Sequence, residues 1–172
     1  MNTKVLTRTA ILIALLVALQ YVTSSLGQFV TGSCVNLVLA VAALFCGLAS
    51  GLIVAVLSPF FAFLLNIGPA NIALVPCIAL GNAVYVVVLS LLGKKLDKLP
   101  KSLLNVAAAA VCKFLTLYLA VVKIVLPMLG LPAQKVQVMS AMFSWPQLVT
   151  ASIGGVLALL IVPQLKKAFK EE

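Results

Sequence analysis

Apolar residues run through this chain in unbroken stretches of about 20, the length a helix needs to cross roughly 30 Å of hydrocarbon. Composition leaves little alternative. Of 172 residues, 64% are hydrophobic and 9% are charged, and a soluble domain of this size has no way to keep so much apolar surface inside a polar shell. The stretches are continuous, without the in-out alternation of a transmembrane β-barrel. The fold class is therefore all-α: a polytopic membrane protein with a single transmembrane domain over residues 1–172.

The apolar stretches place spans at about 6–27, 72–93, 102–128 and 137–163, with a longer apolar segment at 35–65. The N-terminal stretch is read as the first span, because its apolar part is too long for a signal-peptide core and no small-x-small cleavage site follows it. Segment 35–65 is either one tilted helix or two short helices divided near Gly47–Gly51, and the basic residues choose between them. With six spans, Lys4, Arg8, Lys94, Lys95, Lys98, Lys101, Lys166, Lys167 and Lys170 share one side of the membrane. With five, the basic loop at 94–101 and the tail lie opposite Lys4 and Arg8. Cytoplasmic loops concentrate Lys and Arg, so the expectation is a compact bundle of six transmembrane helices in the cell (plasma) membrane, both termini cytoplasmic. The first helix from 35–65 then has roughly 12–15 residues, about 20 Å, and lies tilted or against a cavity.

The residues that are missing narrow the function. All three acids, Asp97, Glu171 and Glu172, fall on the expected cytoplasmic side, and there is no His. Nothing remains within the spans to act as a carboxylate or imidazole proton relay. No phosphate-binding GxxxxGK[ST] loop is present. No Ser/His/Asp, Cys/His or paired-carboxylate set points to a membrane enzyme. Cys34, Cys46, Cys77 and Cys112 are scattered, as small buried hydrophobes are, with no metal-ligand spacing. No metal or cofactor is expected.

Against this apolar background the polar residues stand out. "CKFLTLYLAVVKIVLP" holds Lys113 and Lys123 with no acid nearby. At 100° per residue Thr116, Ala120 and Lys123 lie about 60°, 20° and 80° from Lys113, one narrow stripe, with Lys113 about 16 Å deep. Lys123 either snorkels to the outer headgroups or faces a site. Lys113 is too deep to snorkel easily. It meets a water-filled cavity or an anionic ligand, or it sits neutral. In "NIALVPCIALGNAVYVV", Asn71 and Asn82 share a face with Tyr85 nearby, and Pro76 favours a kink toward a cavity. These amides either line a pocket or join helices. In "MFSWPQLVTASIGG", Ser144, Gln147, Ala151 and Gly154 fall near one face. Trp145 belongs to the interfacial belt or to a pocket wall. The polar stretch "GQFVTGSCVN", ending at Asn36, is expected to be an outer loop folding over a cavity as a lid, with Gly27 and Gly32 allowing motion. Ala10, Ala14 and Ala18 form a small-residue stripe in the first span, which packs within the bundle or lets another helix approach closely.

A short six-span chain, an AxxxAxxxA stripe in "TRTAILIALLVALQ", the "IGPANIALVPCIALGNAVYVVVL" stretch and a basic loop after span four together resemble the substrate-binding (S) component of an energy-coupling factor vitamin transporter. The resemblance covers the whole chain. It implies binding of a micronutrient in the outer half of the bundle, by the first loop and spans four to six. It also implies partners: a transmembrane scaffold subunit and two cytoplasmic ATPase subunits, which supply the energy that topples the component and carries the site inward. Ala10, Ala14 and Ala18 match the stripe that contacts the scaffold. The substrate-binding candidates are then Asn36, Asn71, Asn82, Tyr85, Lys113, Thr116, Lys123, Ser144, Trp145 and Gln147, with the lysines holding a carboxylate or other anionic group. Two other readings compete. A stand-alone secondary transporter or facilitator would move its metabolite with no ATPase present. A membrane assembly protein would bind no small ligand.

Overall fold

The computed structural model describes residues 3–68, 71–93 and 99–169. The expected cations at 94, 95, 98 and 170 and all three acids lie outside these residues. Within them the chain is helical: α1 (Thr3–Thr23), α2 (Gln28–Val41), α3 (Leu48–Leu64), α4 (Leu74–Leu92), α5 (Leu99–Leu117), α6 (Leu126–Met128), α7 (Ala133–Met142) and α8 (Trp145–Ala168).

Several of these merge into longer rods. Five stretches are long and apolar enough to cross a membrane: Thr3–Leu26, Gln28–Cys46, Leu74–Leu92, Leu99–Met128 and Ala133–Ala168. The sixth apolar helix, α3, has 17 residues, or about 26 Å. The break in the 35–65 segment falls at Gly47, whose φ of 93° ends the preceding rod. Only glycine takes that backbone angle without a Cβ penalty.

The expected lid over residues 27–36 is a difference of substance. That stretch forms the first part of α2, which runs on through a π-helical turn at Ala42–Cys46. The rod therefore has 19 residues, longer than the short helix expected. Polarity suggested a loop, but these polar groups find partners inside the bundle. Ser33 Oγ donates to Phe29 O at 2.7 Å and Thr31 Oγ1 to Thr23 O at 2.7 Å. The last span is also divided, at Phe143 and Ser144, into α7 and α8.

The interior is shared by α2, α4, α5 and α8, with α3 against α4 and α1 outermost. Close approach of α2 and α8 depends on Gly154, where a Cβ would stand 2.5 Å from Leu37 N and 2.6 Å from Asn36 Cβ. α1 buries only Thr9, Leu16 and Thr23, one residue every two turns. Near one end it is held by a Thr9–Ser50 hydroxyl hydrogen bond of 2.8 Å. Beside that bond the Arg8 guanidinium lies 4.9 Å from the Phe45 ring centre and 4.8 Å from that of Phe169. Ala10, Ala14 and Ala18 are all exposed, so the stripe is not used for packing inside the bundle.

Candidate functional site

Lys113 lies on α5 and is 2% exposed. Its Nζ donates to Asn36 Oδ1 on α2 and to Asn82 Oδ1 on α4, both at 2.6 Å. An ammonium only donates, so both amides must turn their oxygens toward it. Asn36 is held that way from its other side as well, since its Nδ2 donates to Gly32 O at 2.9 Å and Thr150 Oγ1 at 3.3 Å. Thr150 brings α8 into the same network. The Tyr85 ring centre lies 5.5 Å from Nζ, within the range of a cation–π attraction. Four helices thus meet at one cation, solvated by neutral oxygens.

Beside it lies a cavity of about 240 Å³. Its polar wall includes Lys113, Asn36, Asn82, Gln20, Ser58 and Gln147, and apolar side chains such as Val35, Ile67, Ile78 and Leu117 complete it. α1 contributes only its last residues, α2 its first half and α8 its first turn. The cavity therefore sits at one end of the bundle, away from Lys4, Arg8, Lys166 and Lys167 at the far ends of α1 and α8. Over that end, Gln28 Nε2 and Gln147 Nε2 both donate to Met142 O, at 2.5 and 3.1 Å. This joins the start of α2 to the α7–α8 break.

Of the sequence candidates, the cavity wall brings together Asn36, Asn82, Lys113 and Gln147. Tyr85 stands behind it, fully buried, its hydroxyl donating to Ala151 O at 2.8 Å. Thr116 turns its hydroxyl back to Cys112 O at 2.8 Å. Lys123 is exposed, 5.4 Å from the Tyr118 ring centre. The single stripe projected through Lys113 and Lys123 does not form. Residues Tyr118–Val125 are π-helical, and a wider turn advances each residue by less than 100°. Asn71 Oδ1 accepts from Ala73 N at 3.0 Å and shapes the entry to α4. Pro76 is the third residue of α4, where a missing N–H costs no helical bond, so the expected kink has no cause there. Ser144 is the N-cap residue of α8, and Trp145 is 61% exposed and packs against Phe29 at 5.6 Å.

Sequence reasoning passed over Gln20, Gln28, Thr31 and Ser58. Gln20 and Ser58 are lone polar residues in apolar runs, and that isolation is the signal that would have found them. Gln28 and Thr31 fall within the polar stretch expected to form a lid, where Asn36 is the one residue singled out for binding.

A bundle of membrane-length apolar helices around a largely apolar cavity, with a few polar groups converging on it, defines a membrane protein with room for a small molecule. The family model described as ECF transporter, substrate-specific component, matches residues 4–165, and the chain belongs to that family. It is accordingly a multi-pass, non-catalytic component of a small-molecule transporter whose members work with partner subunits. No match is found among curated proteins or among solved structures.

Proposed function

We propose that the chain captures a small micronutrient, a vitamin or vitamin precursor carrying a carboxylate or other anionic group, in the cavity beside Lys113. The observation that carries this reading is a buried lysine ammonium that, among the described residues, hydrogen-bonds to two neutral amide oxygens at 2.6 Å and meets no carboxylate. A charge near mid-membrane costs about 2.5–3.5 kcal/mol even on the mildest scale. Two amide oxygens offset part of that cost, and an anion entering the cavity offsets more. Asn36, Asn82 and Gln147 accompany Lys113 in the site. Lys123, exposed on the same rod, meets the anion on its way in.

The chain crosses the membrane six times with both termini cytoplasmic. This puts Lys4, Arg8, Lys101, Lys166 and Lys167 at the cytoplasmic face and the cavity at the outer end. α3, slightly short for a full span, fits this topology when the bilayer thins or the helix is shielded by its neighbours. The exposed Ala10, Ala14 and Ala18 face the membrane and receive the transmembrane scaffold subunit, to which two cytoplasmic ATPase subunits supply the energy.

Reconstitution tests the reading. Proteoliposomes holding the whole complex should accumulate the ligand only with ATP inside, and the chain alone should bind but not transport it. ATP-independent uptake by the chain alone would favour a secondary carrier instead.

A further inference from the structure

An anion at Lys113 leaves part of the polar wall unused. Ser58 on α3 is 2% exposed and lines the cavity. Among the described residues its hydroxyl has no hydrogen-bond partner. A helical serine commonly returns its hydroxyl to a carbonyl one turn back, as Ser33 does, but Ser58 does not. Gln20 on α1 lines the same cavity, and its Oε1 is buried without a partner. Asn82 Nδ2 is likewise unpartnered among the described residues, while its Oδ1 is held on Lys113. Buried polar groups are nearly always hydrogen-bonded. Gln20 Oε1 is such a buried atom, and with the unpartnered Ser58 Oγ and Asn82 Nδ2 it gives three groups from three helices around one hollow, places where a guest supplies the missing partners.

We infer that the ligand carries a second polar feature besides its anion: a neutral hydroxyl or amide N–H on an otherwise apolar body, selected by Gln20 and Ser58. This rests on the proposed anion site at Lys113. The ligand's oxygen accepts from Ser58 Oγ or Asn82 Nδ2, and a rotation of the Gln20 amide, whose Oε1 is enclosed as it stands, lets the ligand group donate to that oxygen. Val35, Ile67, Ile78 and Leu117 enclose the apolar part. The substrate class is thus hydroxy or amido acids, distinct from plain alkyl or aryl carboxylates. Such a site rejects the analogue lacking the hydroxyl, because its own buried groups would stay unpaired.

The full-length protein is purified in detergent, incubated with a hydrolysate-based growth broth, desalted and examined by native mass spectrometry, and the released compound is fragmented. The expected compound has one acidic group and at least one hydroxyl or amide N–H. Ser58→Ala and Gln20→Leu should each lower retained occupancy about tenfold, the worth of one neutral hydrogen bond, and Lys113→Met should abolish it. An acid with no hydroxyl or amide N–H overturns this inference and leaves the anion site standing. A compound with no acidic group, or wild-type protein that retains nothing, overturns the anion site as well. Folded Ser58→Ala and Gln20→Leu proteins at wild-type occupancy would remove both residues from selection. The compound's identity is read from wild type alone, so a variant that misfolds does not decide the matter.

Discussion

Lys113 holds its place because each partner turns an acceptor toward it. Asn36 and Asn82 supply oxygens from two different helices, and Asn36 is itself fixed by Gly32 and Thr150. Lys113→Met keeps the stem's bulk and removes the three donors. It leaves two buried amide oxygens unsatisfied, a loss of about 1–3 kcal/mol for each. The expected outcome in detergent is a lower unfolding midpoint together with lost ligand binding. In the double variant Lys113→Met, Asn82→Leu, stability should partly return and binding should not, which a thermal melt and a binding assay on the same preparation would separate. Tyr85→Phe removes the 2.8 Å bond to Ala151 O and should cost about 1 kcal/mol. Because Tyr85 stands behind the wall, ligand affinity should change less than threefold. A tenfold loss there would place the ring in contact with the ligand.

α2 and α8 carry the site because they approach so closely. Gly154 sets that distance, with a methyl group at its Cα position colliding with the backbone of α2. Gly154→Ala should push Asn36 away from Lys113 and destabilise the protein by about 1–3 kcal/mol, the usual cost of overpacking. Affinity should fall with it, although residue 154 lies outside the cavity wall. Unchanged stability would mean that α2 shifts freely, contrary to the packing seen here. The helical character of residues 28–36 was hidden in the sequence. Two glycines and a run of polar side chains read as a loop, yet the same polarity is what a helix needs when one face lines a cavity. The π-helical turns were hidden too, because they reflect how the rods pack and not any local residue preference.

Across the whole molecule, cavity and alanine stripe occupy different surfaces, so binding and assembly should separate. Ala14→Leu adds bulk on an exposed face, where nothing in the chain itself is displaced. It should leave the melting temperature and ligand affinity within error, and prevent co-purification with the scaffold and ATPase subunits. Retained assembly would exclude this face as the docking surface. Topology is open to a direct check. In a cysteine-free background, a cysteine at position 137 should react with an impermeant maleimide from outside intact cells, and one at position 168 should not.

Fold class was legible without coordinates, since apolar runs of membrane length with no alternation admit only a helical bundle in lipid. So was the importance of Lys113, because a cation deep in an apolar run needs an explanation whatever the fold. The partners of that cation were not legible as a set. Asn36 and Asn82 stood among many candidates, and Ser58 and Gln20 among none. Sequence distance says little about which faces of the rods turn inward, and a single π-helical segment was enough to move Lys123 away from the face it was projected to share. The sequence alone determined that a buried charge would have to be stabilised. Only the tertiary structure decided which neutral oxygens do so, because that depends on where α2, α4 and α5 meet in space.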